Sequence, residues 1–204
     1  TIALSAVTLK GSPIKNLLQN TAASVSVITA ADINKSDGII LTSVLNKIPG
    51  LTMQQVAMNT NRITIRGIGA RAQYGTNKIK AYFDGIPLTT GEGETTIDAI
   101  DLASIEKIEI IKGPNSTSFG SGLGGVIQLF SRETPLLASF GKATVTFGSF
   151  GLLQQRLSAG YDDSKTNIFS SYTDLQTDGF RANSSYNRKS LNLPCRKKRP
   201  LAMF

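Results

Sequence analysis

The chain has 204 residues, 40% of them hydrophobic but only 7% aromatic, with 19 glycines, one cysteine, no tryptophan and no histidine. Such a composition belongs to a turn-rich folded chain of one domain and part of a second, and it excludes internal disulfides, multi-cysteine metal sites and histidine-based catalysis. The net charge of +8 is local, because seven basic and no acidic residues lie between Gly179 and Phe204, leaving residues 1–178 nearly neutral with 15 basic and 14 acidic side chains.

The first nine residues lack the charged start and apolar core of a signal peptide, so the numbering is expected to begin near a mature terminus. Residues 1–20 are polar and unpatterned, a flexible leader. Ala23–Thr29 alternates apolar and polar residues as a half-buried strand does. Thr29 or Asp32 is suited to cap a short helix near residues 30–36, and Leu41–Ile48 is a second short helix stopped by Pro49 and Gly50. Short strands follow at Leu51–Val56, Arg62–Arg66, Ile79–Asp84, Ile105–Lys112 and Val126–Ser131, separated by glycine-containing turns. Together they predict a small mixed α+β domain over residues 21–135.

After Pro135 the pattern lengthens. In Leu153–Tyr161 the odd positions are mainly apolar and the even ones polar, and Asp162–Lys165 is a tight polar turn into a returning strand at Thr166–Leu175. With strands near 142–148 and 187–193 this is an antiparallel meander over residues 136–193. The longest apolar runs, such as Ile108–Ile111 and Val126–Phe130, fall far short of the roughly 18 residues of a membrane helix, so only a β-barrel would carry this chain into a bilayer.

Several motifs point elsewhere and fail on mechanism. Gly120 to Gly125 matches G-x-G-x-x-G, but the glycines open into a strand, whereas a dinucleotide site needs them to open into a helix. The better reading is close backbone passage in a tight turn between a short helix at 115–119 and the strand at 126–131. Glu106 and Glu109 lie three apart on a strand, hence on opposite faces, and cannot act as an acid–base pair. The basic run at Arg196–Arg199 lacks an aromatic stacking set or recognition-helix pattern, so nucleic acid is not an expected partner. No catalytic constellation, cofactor or metal site is expected, and an enzyme is the least supported class.

Four ordered stretches carry a family resemblance: Ile63-Thr64-Ile65-Arg66-Gly67; Ala81-Tyr82-Phe83-Asp84-Gly85-Ile86-Pro87-Leu88; Leu102 to Ser116; and Phe119 through Ile127. In order and spacing they resemble the plug of TonB-dependent outer-membrane receptors, as does Ala22–Leu51 at the plug's opening. The resemblance implies a plug domain followed by the first antiparallel strands of a transmembrane β-barrel. It implies an outer-membrane location in a Gram-negative bacterium, with the plug facing the periplasm. The expected function is the gate of a transporter for an iron–siderophore complex or similar large nutrient; the alternative is a free-standing plug-like module that binds ligand or TonB.

Residue roles follow from the same resemblance. Arg66 and Lys112 occupy the two basic positions that lock the family's plug to barrel-wall glutamates, Lys112 replacing the more usual arginine and losing its bidentate fork. The loops facing an external ligand contain Arg71, Gln73 and Tyr74, and Thr89, Thr90, Glu92 and Glu94. The candidate TonB box is Leu4-Ser5-Ala6-Val7-Thr8-Leu9, an extended segment able to add a strand to TonB. The family's barrel has about 22 strands, whereas only four fit into the residues after Pro135. The stretch Pro194–Phe204 does not read as a barrel strand, and residues 194–204 are expected to be an aberrant basic tail from a frameshift or premature stop, leaving the chain unable to transport alone.

Overall fold

The computed structural model describes residues 23–36, 38–57, 60–70, 76–97, 100–114, 119, 122–163 and 165–197. Contacts divide the chain into two units, Thr1–Phe130 and Ser131–Phe204. The expected short helix at 115–119 lies almost wholly outside the described residues.

The first unit begins with β1 (Ser24–Thr29), which stops where its last side chain turns back. The Thr29 hydroxyl accepts the Asp32 amide, and the Asp32 carboxylate accepts the Thr29 hydroxyl at 2.7 Å and amide at 3.1 Å. This capping box starts α1 (Ala30–Asn34), with Thr29 as the cap and Asp32 as its reciprocal partner. The second helix, α2 (Leu41–Leu45), is shorter than the Leu41–Ile48 expected. Pro49 disfavours helical backbone at the residue before it, and the chain tightens instead into an Ile48 N to Leu45 O bond of 3.0 Å. The Asn46 side chain then fastens the helix end to the next strand, its Oδ1 accepting from Met53 N at 2.6 Å and its Nδ2 donating to Met53 O at 3.0 Å.

The hairpin β2 (Leu51–Ala57) and β3 (Thr60–Ile65) forms a separate two-stranded sheet. The main sheet adds β4 (Ile79–Phe83), β5 (Ile86–Pro87), β6 (Ile105–Lys112) and β7 (Gly125–Ser131) in the order β1-β6-β7-β4-β5. Its pairing is mixed, antiparallel for β1 with β6 and parallel for β4 with β7. Parallel strands are buried on both faces, and β7 buries six of its seven residues, while β6 buries five of its eight. The core unites Ile28, Val44, Leu45, Met53, Ile65, Ile79, Ile108, Ile110, Ile127 and Leu129. Glu109 is buried within β6 and pairs with Lys107 at 2.5 Å, on the face away from Ile108 and Ile110.

The glycine run does what the sequence reading asked of it. Gly124 donates to Lys78 O at 2.8 Å and accepts from Gly113 N at 3.1 Å. A Cβ on Gly125 would stand 2.4 Å from Ile111 O, and Gly125 holds φ +138. No side chain fits where β7 starts against the end of β6.

The second unit is an antiparallel meander of β8 (Ser139–Phe147), β9 (Leu153–Asp162), β10 (Thr166–Thr177) and β11 (Tyr186–Asn192). Asp163 Oδ1 accepts from Lys165 N at 2.7 Å in the tight turn between β9 and β10. The stretch after Pro194 departs from expectation, because Cys195–Lys197 forms β12 and pairs with Thr166–Ile168 of β10. It keeps the register of β11, in which Asn192 faces Ser171 and Cys195 faces Ile168. Pro194 lies opposite Phe169 and still accepts its amide at 3.1 Å, so proline removes one donor without ending the strand. Composition changes there; the two-residue alternation does not.

Candidate functional site

The two basic residues expected to lock the plug come together at one turn. Ile65 and Ile68 exchange backbone bonds of 3.0 and 2.9 Å around Arg66 (φ 49) and Gly67 (φ 81). Two successive positive φ values are those of a two-residue type I′ hairpin turn, and Asp84 (φ 49) with Gly85 (φ 84) repeats it between β4 and β5. The Arg66 amide donates to Gly50 O at 2.8 Å, and its guanidinium reaches Gly113, where an added Cβ would lie 3.8 Å from Nη1. Lys112 Nζ donates to Pro49 O at 2.8 Å. Two cations from distant parts of the chain thus flank the Pro49-Gly50 turn, Arg66 exposed and Lys112 half-buried.

Of the expected ligand-facing residues, Arg71, Gln73 and Tyr74 lie outside the described residues, as does the whole candidate TonB box. The second loop is a tight turn in which Thr90 N donates to Glu94 O at 2.8 Å and Gly93 N to Thr90 O at 2.9 Å. Thr89 pairs with Thr95 as an isolated bridge and is half-buried, while Thr90, Glu92 and Glu94 are exposed. Thr95 N donates to Thr76 O at 2.9 Å, which anchors this loop to the residue that follows the first one. The turn therefore presents two carboxylates from a fixed base.

The register of the meander sorts its side chains into two unlike faces. One carries Val145, Phe147, Leu157, Tyr161, Ile168, Tyr172, Leu191 and Leu193, all exposed, Phe147 by 78% and Leu193 by 63%. The other carries Gln154, Arg156, Ser158, Asp162, Asn167, Ser171, Thr173, Arg188 and Arg196, with Ser171 and Thr173 wholly buried, and among them the buried apolar side chains Phe169 and Leu175. A sheet folded for water keeps its exposed face polar; here the exposed face carries these eight large apolar side chains and the buried face most of the hydroxyl, amide and guanidinium groups. The exposed apolar stripe also crosses the strands obliquely, from Ala143–Phe147 on β8 to Leu191–Cys195 on the opposite edge. On the polar face Arg196 pairs with Glu133 and donates to Ser131 Oγ at 3.2 Å, so the residues entering the meander are tied to its last strand. None of these outward residues was singled out from the sequence as functional, although the alternation that places them was visible there.

The model of the TonB-dependent receptor plug domain matches residues 17–126, more than half of the chain. This chain belongs to the TonB-dependent receptor plug family. The iron-regulated outer membrane virulence protein of Vibrio cholerae is 32% identical over 126 residues, covering 57% of this chain and 18% of that protein. The hemin receptor of Yersinia enterocolitica is 33% identical over 106 residues, covering 51% of this chain and 15% of that receptor. The crystal structure of the siderophore receptor PiuA from Acinetobacter baumannii superposes on 88% of this chain with a TM-score of 0.69 at 23% identity, covering 25% of that receptor. This TonB-dependent plug chain therefore spans less than a fifth of the length of those two curated relatives, and its fold is a plug followed by antiparallel strands like the start of the family's barrel. Its relatives are receptors of the Gram-negative outer membrane and not enzymes.

Proposed function

We propose that the chain is the gate portion of an outer-membrane transporter for an iron chelate or a nutrient of similar size, its meander being the transmembrane start of the barrel. The outward apolar face carries this reading: apolar side chains stand exposed on every strand of the meander, while the other face mixes hydroxyl, amide and guanidinium groups with, among the described residues, only Phe169 and Leu175 as fully buried apolar residues. Left in water such a face is an aggregation surface; against lipid it is the stable arrangement. The ligand class is supported by the relatives, which include an iron-regulated outer membrane protein, a hemin receptor and a ferrioxamine receptor.

Within this reading Arg66 and Lys112 hold the plug by meeting carboxylates of the barrel wall, and their convergence on the Pro49-Gly50 turn offers one double anchor. Thr89, Thr90, Glu92 and Glu94, with Arg71, Gln73 and Tyr74, form the apices met by the ligand. Leu4 to Leu9 adds a strand to TonB by main-chain pairing. Soluble TonB carboxy-terminal domain should bind the full chain, and Val7→Pro, which removes an amide from the segment, should abolish that binding in a calorimetric titration. Undiminished binding by the variant would place the TonB contact elsewhere.

A further inference from the structure

The first unit ends its main sheet at β1, and among the described residues no strand covers that edge. The Thr29 amide donates to Asp32 Oδ2, away from β6. In an antiparallel ladder the groups that point outward recur every second residue, so the N–H and C=O of Val25 and Val27 share that direction. Edges are normally blunted by lysine, proline or a bulge, and Ser24-Val25-Ser26-Val27-Ile28-Thr29 contains none of these.

Beside this edge runs a groove of about 680 Å³ lined by Val25, Val27, Ile28, Val44, Ile48 and Pro49, with Lys35 and Lys47 at its rim. Its one carboxylate, Asp32, is already engaged by Thr29. Lys47 Nζ is held by Ser36 Oγ at 2.8 Å, which fixes one of the two cations in place.

We propose that this edge and groove form a strand-acceptor site for an extended segment of another protein, one that alternates apolar and acidic residues. Its backbone would pair with Val25 and Val27, its apolar side chains fill the groove, and its carboxylates meet Lys35 and Lys47. The chain's own residues 1–22 are the wrong occupant, because they carry Lys10 and Lys15 and no acidic residue. The site is separate from the leader segment assigned to TonB and does not depend on that assignment.

The test titrates the full chain, in detergent, with three labelled peptides followed by fluorescence anisotropy. These are an alternating valine–glutamate peptide, its valine–lysine counterpart, and the glutamate peptide fully N-methylated along its backbone. The glutamate peptide should bind best, and methylation, which removes the ladder donors, should weaken it by roughly tenfold or more. Lys35→Glu with Lys47→Glu should reverse the preference between the acidic and basic peptides. If the double variant fails to fold by circular dichroism, Lys35→Glu alone must weaken the acidic peptide and reduce its salt dependence. Equal binding of the methylated peptide, equal binding of the lysine peptide, or no effect of the lysine substitutions overturns the proposal. So does displacement of the probe by a synthetic peptide of residues 1–22 at matching concentration, which would make the leader the occupant.

Discussion

Arg66 holds a left-handed backbone, φ 49, that costs an L-residue about 1–2 kcal/mol, while its neighbour Gly67 holds φ 81 with nothing within 4 Å of where a Cβ would stand. The two therefore respond in opposite directions. Arg66→Gly is expected to stabilise the chain by up to about 1 kcal/mol, and Gly67→Ala to destabilise it by about 1 kcal/mol, both read from urea unfolding midpoints. A strained arginine retained beside an unstrained glycine fits a side chain kept for what it reaches. Asp32 gives a second residue-scale expectation. The Thr29 hydroxyl and amide that donate to its carboxylate hold its pKa below the ordinary 3.8. A depressed carboxylate contributes stability above the unfolded value and loses it as pH falls through the lowered one. Thr29→Ala should cost about 1 kcal/mol at neutral pH. It should also flatten the loss of stability on acidification below the ordinary carboxylate range, measured by unfolding at stepped pH.

At the scale of elements, β11 and β12 behave as one strand interrupted in name by Pro194. Pro194→Ala restores a donor opposite Phe169 and is expected to add about 0.5–1.5 kcal/mol, with slower amide exchange at residues 193–196. Leu45→Ala, at a fully buried position of α2, should cost about 2–5 kcal/mol in the same assay. These elements also mark what the sequence made legible. Strands of six or more residues with clean alternation, such as β1 and β9, were readable because pattern and register agree. The turns at Arg66-Gly67 and Asp84-Gly85 were legible only in part: their glycines mark them, but Arg66 and Asp84, expected as the last residues of strands, take φ 49 inside the turns. β5 was not readable, since two residues of strand carry no period, and the 3-10 turn at Leu102–Ser104 rests on a single Asp101 cap. The stretch after Pro194 does not read as a strand because its basic residues break the apolar alternation, yet Cys195–Lys197 keep the pairing, since a basic side chain can occupy either face of a strand. The convergence of Arg66 and Lys112 was invisible in sequence, as it depends on where Pro49 and Gly50 sit between them.

For the whole molecule, the two units differ in what they expose: the second buries Phe169 and Leu175 yet keeps an apolar outer face. Residues Thr1–Phe130 gather Leu45, Ile65, Ile108 and Leu129 into a water-soluble type of core. Residues Ser131–Phe204 turn Val145, Phe147, Leu157, Leu191 and Leu193 outward. The most direct test of that difference places single tryptophans, in a chain that has none, at Phe147, Leu157 and Leu193 and, as controls, at Thr144, Ser158 and Ser190. The full chain is then refolded into vesicles containing lipids brominated along their tails. Quenching of the first three positions and not of the second three is the expected result. Equal quenching of both sets, or none at either, would contradict a lipid-facing sheet attached to this plug.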